Sequence, residues 1–309
     1  MNVRHCLGVA VAALLLPLLL AWPDAAPLYS DWTPPVNLGA DINSAFVDGG
    51  PALSKDGLSL YFHSNRPGGF GGFDLYVSQR ASVSAPWGAP QNLGPVVNSD
   101  ALLEATPALS RDEHWLFFQS DRPGGFGQND IWASYRENTH DNFAWQTPVN
   151  LGPNVNSAAL DGGPSFFAND EGGAPMLFFA STRGGGLGGN DLYVSTLTAD
   201  GTFGPAVLIP EQSSGSNDQK PSVRFDGLEI FFFSDRIGSL GSFDLWSSTR
   251  DTPSQAWSAP VNLGPVVNSA AVEQQPFIAA DRETLYFQSN RPGGYGSFDI
   301  YVTTRTKLR

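Results

Sequence analysis

Short runs of large apolar residues punctuate the chain five times: Leu60-Tyr61-Phe62, Leu116-Phe117-Phe118, Leu177-Phe178-Phe179, Ile230-Phe231-Phe232 and Leu285-Tyr286-Phe287. Apolar residues at consecutive positions leave a strand with no polar face. Such strands are buried on both sides, as in sheets stacked against neighbouring sheets. A second strand precedes each run and is expected to start at Pro51, Pro107, Pro164, Pro221 and Pro276. An Asp-containing turn joins the two, clearest at Asp56-Gly57 and Asp226-Gly227. A glycine-rich hairpin then leads to a third strand of the type Asp74-Leu-Tyr-Val. A fourth element carries Trp87-x-x-Pro90-x-Asn92-Leu93-Gly94, repeated from Trp145 to Gly152 and from Trp257 to Gly264, and degenerate from Phe203 to Pro210.

The repeat is strict in its charges. An arginine closes the second strand and an aspartate opens the third, always eight residues later: Arg66 and Asp74, Arg122 and Asp130, Arg183 and Asp191, Arg236 and Asp244, Arg291 and Asp299. The fifth copy lacks the Trp…Asn-Leu-Gly element. That element stands instead at the front, as Trp32-Thr-Pro-Pro35-Val-Asn37-Leu38-Gly39. A linear array would have no use for this displacement. A closed ring would, because closure removes the exposed sheet edges. The predicted fold is therefore all-β: a five-bladed β-propeller of four-stranded antiparallel blades over 32–305, its N-terminal strand completing the last blade.

The pattern Pro-x-x-Ser-x-Asp-Gly, Leu-Tyr-Phe-x-Ser-x-Arg, Gly-Gly, Asp-Leu-Tyr resembles the WD40-like β-propeller repeat of the TolB-type propeller. The resemblance runs from Trp32 to Arg305. It implies a periplasmic or secreted protein without catalysis that binds other proteins.

Composition agrees with short strands and tight turns. The chain of 309 residues holds 34 Gly and 24 Pro, too many poor helix formers for a helical bundle. A hydrophobic content of 41% is enough to build a core. The net charge of −13 argues against a nucleic-acid partner, which needs a basic face. It suits a cation, a basic peptide or a neutral glycan. Residues 1–26 read as a signal peptide, with Arg4 before an apolar stretch from Leu7 to Trp22. The rival reading is an uncleaved anchor, the only route to envelope association. Cys6, the sole cysteine, lies in this segment, so the remaining chain has no disulfide.

Three charged sets are expected on one face of the ring. Two are the Arg and Asp positions above, read as structural clamps on the hairpins. The third is an acid three residues before each first-strand proline: Asp48, Glu104, Asp161, Asp218 and Glu273. First strands are innermost in a propeller, so this set should ring the axis. Converging carboxylates repel unless a positive charge compensates. Either the arginines supply it or a cation does, with Ca2+ the natural choice for an all-oxygen site.

The glycine-rich hairpin is neither a calcium-binding nonapeptide nor a phosphate loop, since its aspartate comes late and a strand follows it. No histidines are spaced as metal ligands. His63 falls in a strand column held elsewhere by Gln119, Ala180, Phe233 and Gln288 and reads as a packed polar residue. Blades three and four depart most from the repeat: Asn169–Ala174 lengthens one turn, and Glu211–Asn217 replaces a crossover. The expected function is an exported binding module without catalysis, recognising a protein, peptide or glycan through this charged face. The alternative is a glycoside-active enzyme using Asp48, Asp161 and Asp218 as acid, base and pKa modulator.

Overall fold

The structure, a computed structural model, describes residues 29–170 and 172–308. The proposed leader and Cys6 lie outside the described residues. Five four-stranded antiparallel sheets are present, and none of the described residues is helical. The first blade is built from Asp48–Leu53, Ser59–Ser64, Asp74–Gln79 and Gln91–Asn92. The second has Glu104–Leu109, Trp115–Ser120, Asp130–Tyr135 and Val149–Asn150. The third has Asp161–Phe167, Met176–Ser181, Asp191–Thr196 and Val207–Leu208. The fourth has Asp218–Val223, Glu229–Ser234, Asp244–Thr249 and Val261–Asn262. The fifth takes Glu273–Ile278, Thr284–Ser289 and Asp299–Thr304 from the end of the chain and Val36–Asn37 from its beginning. Val36 pairs with Val302 and Asn37 with Tyr301, so the ring closes as the displaced element requires.

The apolar core is divided among the five seams between blades. Tyr61, Leu75 and Val77 of the first blade meet Leu116, Phe118 and Trp132 of the second. Leu60 and Phe62, on the opposite face of the same strand, meet Tyr286 and Ile300 of the fifth. This two-sided burial is why the second strands carry no polar alternation. Each such large side chain stabilises the ring by about 1.5–3 kcal/mol on burial.

The glycine-rich hairpins serve the seams on one face. A side chain at Gly71 would overlap the Ala101 carbonyl oxygen of the next crossover, and one at Gly296 would overlap that of Phe46. The hairpin tip is glycine because the neighbouring backbone lies against it.

The first strands begin three residues earlier than their prolines suggest. Asp48 and Gly49 already pair with Ser64 and His63 before a bulge intervenes, and pairing resumes at Ala52 with Tyr61. All five first strands share this bulge. At its centre lies a residue in the left-handed region: Gly50, Thr106, Gly163, Lys220 and Gln275, with φ between 47° and 62°. Proline thus follows a kink inside the strand instead of opening it.

Candidate functional site

The arginines find the acids that open the first strands. Arg66 Nη2 lies 2.5 Å from Asp48, Arg122 3.0 Å from Glu104, Arg183 2.5 Å from Asp161, Arg236 2.5 Å from Asp218, and Arg291 2.9 Å from Glu273. All five acids are fully buried. Each also accepts a serine hydroxyl from the crossover before its strand, as Ser44 Oγ does to Asp48 at 2.7 Å. The same guanidinium donates to a crossover carbonyl, Ile42 O at 2.7 Å in the first blade. It also stacks over strand aromatics, Phe62 and Tyr76 there. Burial pushes the Glu104 carboxyl above its ordinary value, against the pull of Ser99 and Arg122.

The third-strand aspartates do not pair with the arginines. Asp74 accepts the Phe70 and Gly71 N–H groups at 2.7 and 3.3 Å and the Asn92 amide at 3.0 Å. Asp130, Asp244 and Asp299 repeat the arrangement with Asn150, Asn262 and Asn37, the last crossing the ring closure. Asp191 meets only the hairpin N–H groups, and its Oδ1 lacks a partner, because Leu208 stands where the other blades have Asn. So two separate devices replace one expected Arg–Asp hairpin clamp. The arginine ties crossover to inner strand, and the aspartate ties hairpin to outer strand. The reason is geometric: the hairpin folds its own amides onto the aspartate before an arginine can reach it.

A calcium ion does not fit these acids, since every one is already saturated by an arginine and a serine. Among the described residues, no three His, Cys, Asp or Glu side chains are grouped to hold a metal.

The accessible concave site lies elsewhere, on the opposite rim between the second and third blades. It is a cleft of about 890 Å³. Its floor is aromatic: Phe117 stacks on Phe166 at 5.3 Å and meets Phe203 edge-on. Trp115 is 38% exposed at its edge and leans on Tyr135. Two carboxylates line it. Asp112 is held by the Ser110 hydroxyl at 2.5 Å, and Asp170 by Arg111 Nε at 2.9 Å. The lengthened turn of the third blade brings in Ala168, Asp170 and Pro175. That insertion is legible in the sequence. Trp115 carries a signal too, standing in a strand position held by Ser59, Met176, Glu229 and Thr284 in the other blades. Asp112 and Arg111 sit in an ordinary turn and carry none.

Deep in the ring, a strand column and the left-handed residues come together. His63 Nδ1 accepts the Thr106 N–H at 3.3 Å, and burial lowers its pKa to about 4. Lys220 is 3% exposed and donates to Pro164 O at 3.1 Å. Burial lowers its pKa to about 7.

No protein-family model matches the chain, and no curated protein matches it by sequence. Solved structures do. The alpha-L-arabinofuranosidase of Podospora anserina in complex with cellotriose superposes with a TM-score of 0.57 at 13% identity, over 91% of this chain and 98% of that one. The GH43_1 enzyme of Xanthomonas citri complexed with xylotriose gives 0.56 at 14% identity, over 87% and 88%. A putative TolB from Agrobacterium tumefaciens gives 0.51 at 15% identity, over 89% and 84%. At such identities the likeness is one of fold, the five-bladed propeller with TolB among its neighbours. The glycoside hydrolases among these neighbours overturn the expectation of a non-catalytic module for protein or peptide.

Proposed function

We propose that the protein is a glycoside-active propeller that takes a glycan chain into the cleft between its second and third blades. The observation that carries this reading is the aromatic floor of Trp115, Phe117, Phe166 and Phe203 set beside the carboxylates of Asp112 and Asp170. Aromatic faces pack against the C–H faces of sugar rings, and a few convergent polar groups fix orientation. Hydrolysis of a glycosidic bond uses a carboxylate pair: one protonates the leaving oxygen, the other activates water or attacks the sugar. Arg111 holds the Asp170 carboxylate in place. Two neighbours of the same fold hold cellotriose and xylotriose, short unbranched glycans. The apolar leader at 1–26 supports export to the periplasm or beyond, where polysaccharides are met.

The test is incubation of the purified protein with xylo-, cello- and arabino-oligosaccharides, followed by product analysis. Cleavage of at least one is expected, falling at least 100-fold in Asp112→Asn or Asp170→Asn. Trp115→Ala should weaken binding more than turnover. A folded protein that neither cleaves nor binds any of them refutes the reading. Activity that survives both cleft variants but vanishes in a folded Asp161→Asn moves the site to the axial acids.

A further inference from the structure

All five first strands converge on a second, much smaller cavity of about 30 Å³ on the ring axis. A single water needs about 10–15 Å³, so this space takes one small ion or one or two waters and excludes a sugar. Its lining includes Leu53, Leu109, Pro164, Lys220 and Ile278, one from each blade.

The charge of this lining is one-sided. Lys55, Arg111 and Lys220 line it, and no Asp or Glu does. That is unusual in a chain with only 17 Lys and Arg against 30 Asp and Glu. Arg111 is paired with Asp170 in the neighbouring cleft, whereas Lys220 forms no ion pair among the described residues. An uncompensated buried ammonium is costly and calls for either neutralisation or a counter-ion.

The donors left over match an anion. Lys220 Nζ makes one hydrogen bond, to Pro164 O, out of three it can donate. The Ser165 hydroxyl accepts the Val223 N–H at 3.1 Å and the Ser222 hydroxyl accepts the Ile278 N–H at 3.1 Å. Each hydroxyl proton remains free to be donated. Both serines line the cavity.

The backbone is arranged around the lysine. Lys220 holds φ at 47°, a region that bulky residues rarely enter and that costs of order 1–3 kcal/mol. Its side chain crosses Gly163, where a Cβ would sit 2.9 Å from the Lys220 Cα. A strained residue and a facing glycine together seat one cation at the centre of the ring. We infer that this axial cavity is a binding site for a single small monovalent anion of halide size, held by Lys220 with the Ser165 and Ser222 hydroxyls.

Anion binding here is linked to protonation. Burial holds Lys220 near 7, and a bound anion restores its charge, so binding takes up a proton and tightens as pH falls toward 6. The other ionisable groups around Lys220 are His63, which feels the charges of Lys220 and Asp48, together with Lys55 and Arg111 at the cavity wall.

Two measurements on the full chain decide the matter. Crystals soaked in sodium bromide should show an anomalous bromine peak in the axial cavity beside Lys220. At constant ionic strength, replacing the sodium salt of a bulky sulfonate by chloride should raise the melting temperature, more at pH 6 than at pH 9. The rise should be about 2–4 °C per tenfold chloride above Kd. Lys220→Met should abolish the chloride effect, and Ser222→Ala should weaken it if the lysine variant does not fold. A cavity holding only water, no bromine peak, or equal melting in both salts overturns the site. So does a chloride response retained in Lys220→Met. None of these outcomes bears on the glycan reading of the neighbouring cleft, which is tested by cleavage products alone.

Discussion

Two rings of side chains lie two residues apart on the same five strands, and they have opposite characters. At the first position of each inner strand stands an acid, in all five blades. Every one is buried, paired with an arginine and bonded to a serine. At the third position the backbone is equally uniform, left-handed in all five blades, yet the side chains are Gly50, Thr106, Gly163, Lys220 and Gln275. Thr106 Oγ1 and Gln275 Oε1 have no hydrogen-bond partner among the described residues. The first ring shows what the fold needs from every blade, because an unpaired buried acid would be intolerable in any of them. The second shows a backbone need alone, which leaves the side chains free to diverge. Chemistry specific to this protein is to be sought where the repeat keeps its backbone and loses its side chains. The cleft beside Asp170 arises differently, where one lengthened turn changes the backbone of the repeat as well.

The sharpest way to break the comparison is to open the ring. Removing everything before Ala40 deletes the Val36–Asn37 strand and its Asn37–Asp299 bond at 2.8 Å. Loss of cooperative unfolding by circular dichroism is expected across all blades. A truncated protein that melts as the full chain does removes closure as the source of stability.

Next comes a single clamp. Arg183→Met leaves Asp161 buried without its partner and should cost about 3–5 kcal/mol in urea unfolding. A loss under 1 kcal/mol would mean that the serine contacts alone hold the acid.

The second ring should respond to pH instead. Lys220 has a folded pKa of about 7 against 10.5 in the unfolded chain. As pH falls from 10.5 to 7 the unfolded chain takes up the proton first, so stability declines over that window and levels off below it. In halide-free buffer Lys220→Met should flatten this slope and raise stability at pH 7. An unchanged slope would place the titration elsewhere.

The smallest effect is expected at His63, lowered to about 4 from 6.5. Stability should fall as pH drops from 6.5 to 4, again because the unfolded chain protonates first. His63→Gln, the residue found at this strand position in blades two and five, should remove that decline. Thermal melts at pH 4.5 and 7.5 measure it.

Much of the ring is legible in the residues themselves. Two-sided apolar runs meant strands stacked between sheets, and the seams show Tyr61 and Phe62 buried on opposite sides. The stray Trp32–Gly39 element meant closure, and Val36 pairs with Val302. The choice of ion-pair partners is not legible in the same way. Arg66 lies 18 residues from Asp48 and eight from Asp74, and proximity in sequence favours the nearer aspartate. The bulge after Gly49 and the inward fold of the hairpin amides reverse that preference.

What the chain settled by itself is whatever repeats locally: strand after strand, turn after turn, and the fact of a ring, since each blade writes the same short-range rules. What only the tertiary structure decided is which distant groups share a space. The cleft joins Asp112 to Asp170, and the axial cavity draws residues from every blade. Burial there leaves an ordinary lysine with no ion pair among the described residues. No local pattern carries that information, because burial belongs to the assembled ring and not to any segment of it.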